Sequence, residues 1–501
     1  MRSQAVDHIA LLPLYAAAGT AILALLVDLF VARRTAIVVS TLAGALTTAA
    51  AALVVGTWDA TFCTTGGCSW IPTQPAAVAA ALFAALTAGV LGLSAPALRE
   101  GAVPVGEFCF LLACSMTGGV TVAYAGDLLT LIVGLETLTL PLYILVGLRR
   151  YVPFARPSIR PAEASLTFFL VSVISTAVAL LGLALVFAAT GVVHLSRLAP
   201  APAPFTALGG VGAALLVIGL AFKVAAVPLH AWAPATYDGA PIPIAAYLST
   251  ASKLGGILAL AAVAARLDTG AVLSALAVLT MTVGNLVALR QTRMVRLLAW
   301  SSIAQAGYIL AALAMGAPGV PAALSYAVFF VILELIAFGV VAALRPAGRV
   351  AREAVALAAP TPTDTDGGTL NDYRGLAHQH RWLGAAMIVA LSGLAGLPPG
   401  LAGLFAKVTV VGALIAEGWT WLAVIVVINA VIALAYYVRV GALLYTYPRS
   451  PGIPVVDPAL LYDITHPRFP VPRPLTATLL ITAAAAILLG FAPQLLFNAF
   501  S

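Results

Sequence analysis

Apolar runs of 18 or more residues recur along the whole of this chain, parted by short polar gaps. A run of that length crosses a hydrocarbon core of ~30 Å as a helix. Fourteen such spans fall near residues 9–32, 36–56, 75–97, 105–125, 128–148, 163–189, 207–231, 242–266, 271–290, 297–316, 320–344, 383–416, 419–446 and 474–499. The pattern predicts an all-α polytopic membrane protein of about 14 transmembrane helices. Two spans are interrupted. The seventh carries Lys223, then Pro228, and runs into His-Ala-Trp-Ala-Pro. The twelfth carries Gly396-Leu-Pro-Pro-Gly400 before Lys407. Proline removes a backbone donor and breaks a helix, which a membrane tolerates where the freed backbone lines a cavity or meets another helix.

Paired interrupted spans mark ion sites in secondary transporters. Their separation by five helices suggests two related five-helix bundles, helices 4–8 and 9–13. Residues 1–104 then hold helices 1–3, residues 105–446 an antiporter-like core, and residues 447–501 a loop and helix 14. The proline follows Lys223 but precedes Lys407, so spacing alone leaves the repeat open. The longest polar gap is 345–382, and its stretch from Ala358 to Gly368 reads as a flexible linker.

The composition, 62% hydrophobic and 9% charged, excludes a soluble domain. A net charge of +7 does not indicate nucleic acid, because the arginines sit in the short loops. If the first helix enters from outside, the cytoplasmic loops hold eighteen arginines: Arg33, Arg34, Arg99, Arg149, Arg150, Arg156, Arg160, Arg290, Arg293, Arg296, Arg345, Arg349, Arg352, Arg374, Arg381, Arg449, Arg468 and Arg473. The other side holds only Arg2, Arg197 and Arg266. The positive-inside rule then puts both termini on the non-cytoplasmic side. The first run is expected to be a retained helix rather than a cleaved signal. Cys109 and Cys114 fall inside an apolar span as packing residues. Cys63 and Cys68 flank a polar Thr-Thr-Gly-Gly loop and fit either a short disulfide in an oxidising compartment or two free thiols.

The chain has three lysines, Lys223, Lys253 and Lys407, and all lie inside apolar segments. Arginine stays charged in a protein, whereas a buried lysine can give up its proton. Glu136 and Glu334 also fall mid-span. Each charge at that depth costs about 2.5–3.5 kcal/mol on insertion scales. Structural ion pairs are one reading of the five. Three lysines against two acids, with helix breaks near two of the lysines, favour a proton path. Moving one charge against ~180 mV costs about 4 kcal/mol, the scale of breaking and remaking one such pair. His230 lies seven residues after Lys223, on one face if the helix continues, and reads either as a relay or as a hydrogen-bonded helix end. Gln305 and Tyr308, with Ser249, Thr250 and Ser252 around Lys253, are candidates for holding water chains. Asp127 reads as an N-cap and Asp238 as a structural residue in a polar loop. No phosphate-binding glycine loop, haem-type histidine set or iron–sulfur cysteine cluster occurs, so an energy source must come from a partner.

Four segments carry a family resemblance. Phe222-Lys-Val-Ala-Ala-Val-Pro-Leu-His-Ala-Trp-Ala-Pro-Ala-Thr-Tyr-Asp-Gly-Ala-Pro241, followed by Ser252-Lys-Leu-Gly255, resembles the core signature of the antiporter-like membrane subunits of respiratory complex I. Gly134-Leu-Glu-Thr-Leu-Thr-Leu-Pro-Leu-Tyr143 is similar to their fifth-helix glutamate segment. Gly284-Asn-Leu-Val-Ala-Leu-Arg-Gln-Thr-Arg293 with Leu297-Leu-Ala-Trp-Ser-Ser-Ile-Ala-Gln-Ala-Gly-Tyr308 resembles their ninth-to-tenth helix junction. Gly396-Leu-Pro-Pro-Gly-Leu-Ala-Gly-Leu-Phe-Ala-Lys407 resembles the twelfth-helix motif.

Lysine at 407 and Glu163-Ala-Ser-Leu-Thr-Phe-Phe-Leu170 look most like the subunit N branch. The resemblance implies a proton-translocating subunit of a bacterial NADH–quinone oxidoreductase in the plasma membrane. It implies that Glu136 modulates Lys223, that Lys253 connects onward and that Lys407 is the terminal relay. It also implies other complex I membrane subunits as partners in a hetero-oligomer, with NADH, FMN, iron–sulfur clusters and quinone in partner subunits and no cofactor in this chain. Two departures stand out: Thr167 where relatives often carry lysine, and Gln305 where they commonly carry histidine. The family assigns no role to Glu334. A subunit of a multi-component Na+/H+ antiporter shares the core motifs, and a non-pumping structural spacer is the third reading.

Overall fold

The computed structural model of the chain describes residues 6–101, 103–148, 160–355, 367–447 and 470–500. Side chains at 160 and 345–355 are not among those described. Arg2, Arg149, Arg150, Arg156, Arg449 and Arg468 lie outside the described residues, as do 358–366 of the expected linker and 448–469 of the expected last loop.

Two long apolar helices, α1 (Leu12–Phe30) and α2 (Arg34–Val54), lead into a hairpin of β1 (Thr61–Thr64) and β2 (Gly67–Trp70). Cys63 and Cys68 stand opposite each other in its register and are joined as a disulfide. Next come α3 (Gln74–Glu100), α4 (Val105–Tyr124), α5 (Leu128–Gly147), α6 (Arg160–Thr190) and α7 (Thr206–Ala221). Asp127 caps α5 as expected, its Oδ1 accepting the Thr130 N–H at 2.7 Å. Cys109 and Cys114 on α4 are free thiols, the first fully buried.

The seventh span ends earlier than its apolar run suggests. α7 stops at Ala221, and 222–231 form turns before α8 (Trp232–Gly239). α9 (Ile242–Tyr247) passes through a π turn, Leu248–Ser252, into α10 (Lys253–Ala264). Then follow α11 (Gly270–Ala288), α12 (Met294–Leu313) and α13 (Val320–Val355). A short α14 (Leu376–Gln379) precedes α15 (Arg381–Ala395) and α16 (Leu401–Ala416), the two halves of the expected twelfth span. α17 (Thr420–Tyr445), α18 (Arg473–Phe491) and α19 (Gln494–Phe500) complete the order, with the last span broken at Pro493.

Eleven spans among the described residues are long and apolar enough to cross a membrane. Together with α7, α12 and the α15–α16 pair they account for the fourteen expected spans. Burial separates centre from rim. The α9–α10 span is 94% buried and that of α13 89%, against 28% for α1 and 22% for α18. α12 is too polar to qualify by composition, yet its side chains from Ser301 to Leu313 are all buried. Its neighbours shield its polar side chains from lipid.

Two departures concern the polar gap after α13. The helix runs on to Val355, past the apolar limit at 344. The far end of the gap is not a free linker: Leu370 N–H donates to the Thr292 carbonyl at 2.8 Å, and Thr369 bridges Arg293.

The loops form two ends. At one, the hairpin is sewn to the turns after α4 and α6 through Gly126 N–H to Ser69 O at 2.8 Å and Leu195 N–H to Gly126 O at 2.9 Å. Trp70 stacks on Tyr124 at 4.7 Å and donates Nε1–H to the Ala10 carbonyl. At the other end Arg34 donates to the Arg99 carbonyl, and Arg293 pairs with Asp238 at 2.5 Å. Asp238 lies on α8, not in a loop, and holds that short helix to the α11–α12 connection.

Candidate functional site

Glu136, Thr139 and Tyr143 follow one another on α5 at spacings of three and four, and so share a face. Ser172 and Thr176 answer from α6 at the same spacing. α6 and α7 cross at close range: a Cβ on Gly182 would lie 2.3 Å from the Leu216 backbone nitrogen. The chain leaves α7 two residues before Lys223, so the lysine enters this polar face from a broken helix end. Its Nζ donates to Glu136 Oε1 at 2.8 Å, Thr139 Oγ1 at 3.1 Å and Ser172 Oγ at 3.1 Å. All three ammonium donors are thus engaged. Thr176 also donates to Glu136 Oε1, at 2.7 Å, and Tyr143 to Ser172 Oγ, at 2.5 Å. The backbone freed by the break is met from elsewhere: Val227 N–H donates to Thr280 of α11, and Trp232 Nε1–H to the Phe222 carbonyl. That is the condition under which a membrane helix can break.

Lys253 opens α10, directly after the π turn. It is fully buried, and its Nζ donates to both the carbonyl and the hydroxyl of Ser302, each at 2.6 Å. The Phe330 ring centroid lies 5.8 Å from the same nitrogen. A Cβ on Gly256 would touch Lys223 Cβ at 2.8 Å, so α10 runs against the broken end of α7. Ser249 and Thr250 back-bond to the Ala246 carbonyl, which is the structural reading of those hydroxyls.

The third lysine follows from helix-end chemistry. α15 ends at Ala395, where Gly396 takes the left-handed conformation at φ 82°. The last carbonyls of a helix lack intrahelical donors and carry its negative dipole end. Lys407 of α16 supplies donors, reaching Leu394 O at 2.8 Å and Ala395 O at 2.7 Å. Its Nζ lies 5.2 Å from the Tyr308 ring.

Gln305 of α12 donates to the same Leu394 carbonyl at 2.8 Å and to Tyr437 Oη at 2.9 Å, and accepts from Tyr326 at 2.5 Å. Ser301 and Tyr437 share a hydrogen bond of 2.5 Å. Tyr308 Oη accepts from Asn285 at 3.0 Å. Ser301, Gln305 and Tyr308 are i, i+4 and i+7, one face of α12. That helix therefore holds Lys253 through Ser302 and reaches the carbonyl that holds Lys407 through Gln305. A cavity of about 460 Å³ extends from the apolar surface between α16 and α17 to Lys407.

The structure brings Glu136 to Lys223, and it joins Gln305 and Lys407 at one carbonyl with Tyr308 beside the lysine. Glu334 on α13 is fully buried in the neighbourhood of Lys253. His230 does not join them. The helix has ended before it, so no face is shared with Lys223, and its ring instead lies 5.1 Å from Trp300. The sequence reading missed Thr139, Tyr143, Ser172, Thr176, Ser302, Tyr326 and Tyr437. The spacing of Thr139 and Tyr143 from Glu136 was a usable signal. Tyr437 gave none, as one tyrosine in a 26-residue apolar helix.

Comparisons with known proteins place the chain in a family. The family described as NADH:quinone oxidoreductase/Mrp antiporter, TM, matches residues 125–433, which contain every residue of the network but Tyr437. The chain is 52% identical to NADH-quinone oxidoreductase subunit N of Salinispora tropica, over 99% of this chain and 98% of that one. It is 39% identical to NADH-quinone oxidoreductase subunit N 2 of Streptomyces griseus subsp. griseus, over 98% and 92%. A chain of respiratory complex I from Thermus thermophilus superposes with TM-score 0.77 at 27% identity, covering 98% of this chain and 100% of that one. A chain of the Mrp complex from Dietzia sp. shares the fold, with TM-score 0.82 at 20% identity over 98% and 96%. This chain thus belongs to the NADH:quinone oxidoreductase/Mrp antiporter transmembrane family, in its NADH-quinone oxidoreductase subunit N branch.

Proposed function

We propose that this chain is the proton-translocating membrane subunit N of an NADH-quinone oxidoreductase, and that Glu136, Lys223, Lys253 and Lys407 carry the protons. The observation that carries the reading is the polar run on α12, where Ser302 holds Lys253 and the adjacent Ser301 begins a hydrogen-bonded set, through Tyr437 and Gln305, that ends at the carbonyl holding Lys407. Glu136 is the charge that decides the state of Lys223: with the 2.8 Å contact made, the ammonium is held, and with it broken, a proton is free to pass toward Lys253. Serine, tyrosine and glutamine side chains then offer hydrogen bonds from Lys253 to the end of α15. His230 stands outside the path in this reading.

The work comes from partner subunits. NADH, FMN, iron–sulfur clusters and quinone belong to them, and no step at this site needs a redox group. The chain sits as a multi-pass protein in the bacterial plasma membrane among other membrane subunits of the complex. Residues 105–446 form its transport core, flanked by helices 1–3 and by helix 14 with its preceding loop. Both termini face the non-cytoplasmic side. An antiporter subunit of the Mrp type would share the fold, but the 52% identity over nearly the whole chain favours subunit N. A structural spacer has no use for three buried lysines, two of them without any carboxylate bound to the ammonium.

The test is the number of protons moved per electron by the assembled complex in vesicles. Lys223→Met and Lys407→Met are each expected to lower it while the complex still assembles. Unchanged stoichiometry in both would refute the reading.

A further inference from the structure

We propose that Glu334 is the proton-accepting partner of Lys253, a second carboxylate–lysine pair in the path beside Glu136 and Lys223. The inference deepens the proton-transfer reading and rests on it.

Glu334 lies in the middle of α13, one of the two most enclosed spans of the protein. Its carboxylate is 0% exposed, and neither oxygen has a hydrogen bond. Buried polar groups in folded proteins are nearly always partnered, and a lone buried carboxylate is strongly unfavourable as an anion. Phe330, whose ring lies 5.8 Å from Lys253 Nζ, is four residues before Glu334 on α13, so the lysine lies along the same face of that helix, and four groups from three other elements interact with the carboxyl. Lys253 and Ser249 come from the α9–α10 span, Tyr237 from α8 and Tyr437 from α17. Ser249 lies near without completing a hydrogen bond, since its hydroxyl is turned to the Ala246 carbonyl. The Tyr237 hydroxyl is buried and equally without a partner. Separate helices therefore bring polar groups into one enclosed space without pairing them. Packing alone has no reason to do this; a group that changes partners does.

Lys253 is the one cation among them, and it has a donor to spare. Two of its three ammonium hydrogens go to Ser302 on α12, each at 2.6 Å. No contact within 4.0 Å joins it to Glu334. The lysine thus stands between a partner it holds, on α12, and one it does not, on α13. The π turn immediately before it is a looser helical form, often found at functional sites, and gives its backbone room to adjust.

In the transfer, an N–H bond of the Lys253 ammonium breaks and an O–H bond forms on Glu334. Ammonium becomes amine and carboxylate becomes carboxylic acid. The pair carries zero net charge before and after, so no uncompensated charge is stranded in the low-dielectric interior. The amine is then ready for the next proton from the Lys223 side. Tyr437, which interacts with Glu334, is bonded to Ser301 and to Gln305, whose other donor reaches the carbonyl that holds Lys407.

The test uses the assembled complex in membrane vesicles, with Glu334→Gln and Glu334→Asp beside Lys253→Met. Protons per electron and the infrared C=O band of protonated carboxyl groups are both read. Glu334→Gln is expected to lose as many protons per electron as Lys253→Met, and Glu334→Asp to recover most of that loss. A C=O band is expected that changes between resting and turning-over complex and is missing in Glu334→Gln. Loss in Lys253→Met with full pumping in Glu334→Gln would overturn this inference alone. Full pumping in Lys253→Met would overturn the broader reading and this inference with it. Should Glu334→Gln not assemble, the band is identified by its displacement in Glu334→Asp. Its constancy through turnover would then overturn the proposal, and its change would support it.

Discussion

Lys223 spends all three of its donors on one carboxylate and two hydroxyls, at distances between 2.8 and 3.1 Å. A positive charge alone does not explain that fit, since an arginine would supply charge as well. Arginine does not release a proton in a protein, and its planar fork needs more room than a compact ammonium. Lys223→Arg therefore separates charge from proton transfer. It is expected to keep a cation beside Glu136 and still cut proton pumping by about 10²-fold or more, the scale of a lost proton-transfer group. Proton uptake by vesicles during NADH oxidation measures this. Pumping near the wild-type rate would mean that the residue serves only as a fixed charge. The importance of the three lysines was legible in the sequence, because lysine occurs nowhere else in the chain. Their acceptors were legible only in part. Those of Lys407 are main-chain carbonyls, which no side-chain pattern announces.

At the level of elements, the position of Lys223 depends on how closely α6 and α7 approach. Gly182 and Gly212 face each other across that crossing, and a Cβ at 182 would lie 2.3 Å from the Leu216 backbone nitrogen. Backbone cannot yield as a flexible side chain can. Gly182→Val is therefore expected to push α7 outward, drawing Lys223 away from Ser172. Its cost is about 1–3 kcal/mol, as for other overpacked sites, and pumping should fall with the melting temperature. Gly210→Ala on the same helix is the control, because a Cβ there meets nothing within 4 Å. It is expected to be silent or to stabilise by up to about 1 kcal/mol through helix propensity. Equal effects of the two would show that the crossing is not what positions the lysine. The prolines revealed that the seventh and twelfth spans are broken, but not where the seventh breaks. The helix ends seven residues before Pro228, at Ala221. The expected shared face of Lys223 and His230 failed for that reason. The central place of α12 was equally hidden, since its polar face leaves it short of a membrane span by composition while neighbouring helices enclose it.

At the scale of the molecule, the two loop ends differ in chemistry. One has a disulfide hairpin stitched to the turns after α4 and α6, and the other has Arg34, Arg293 and Arg439 donating to carbonyl or carboxylate groups. A disulfide persists in an oxidising compartment, and arginine loops stay in the cytoplasm. Both rules support the orientation proposed above, with the hairpin outside. Loop Arg counts alone carried that orientation in the sequence, and the paired cysteines now add an independent reason.

The bond closes a loop of only about six residues, for which chain entropy gives about 2 kcal/mol of stabilisation. Cys63→Ser with Cys68→Ser is therefore expected to lower stability by about that amount and leave pumping intact, since no proton-path residue touches the hairpin. A thermal melt of the purified complex and the vesicle assay check the two halves of that statement. Orientation is checked separately in intact cells after mild reduction. A membrane-impermeant maleimide should label Cys63 and Cys68 from outside, and a cysteine placed at Arg374 only in inverted vesicles. The reverse labelling would place the arginine-rich end outside. The transport core would then have to run in the opposite sense across the membrane.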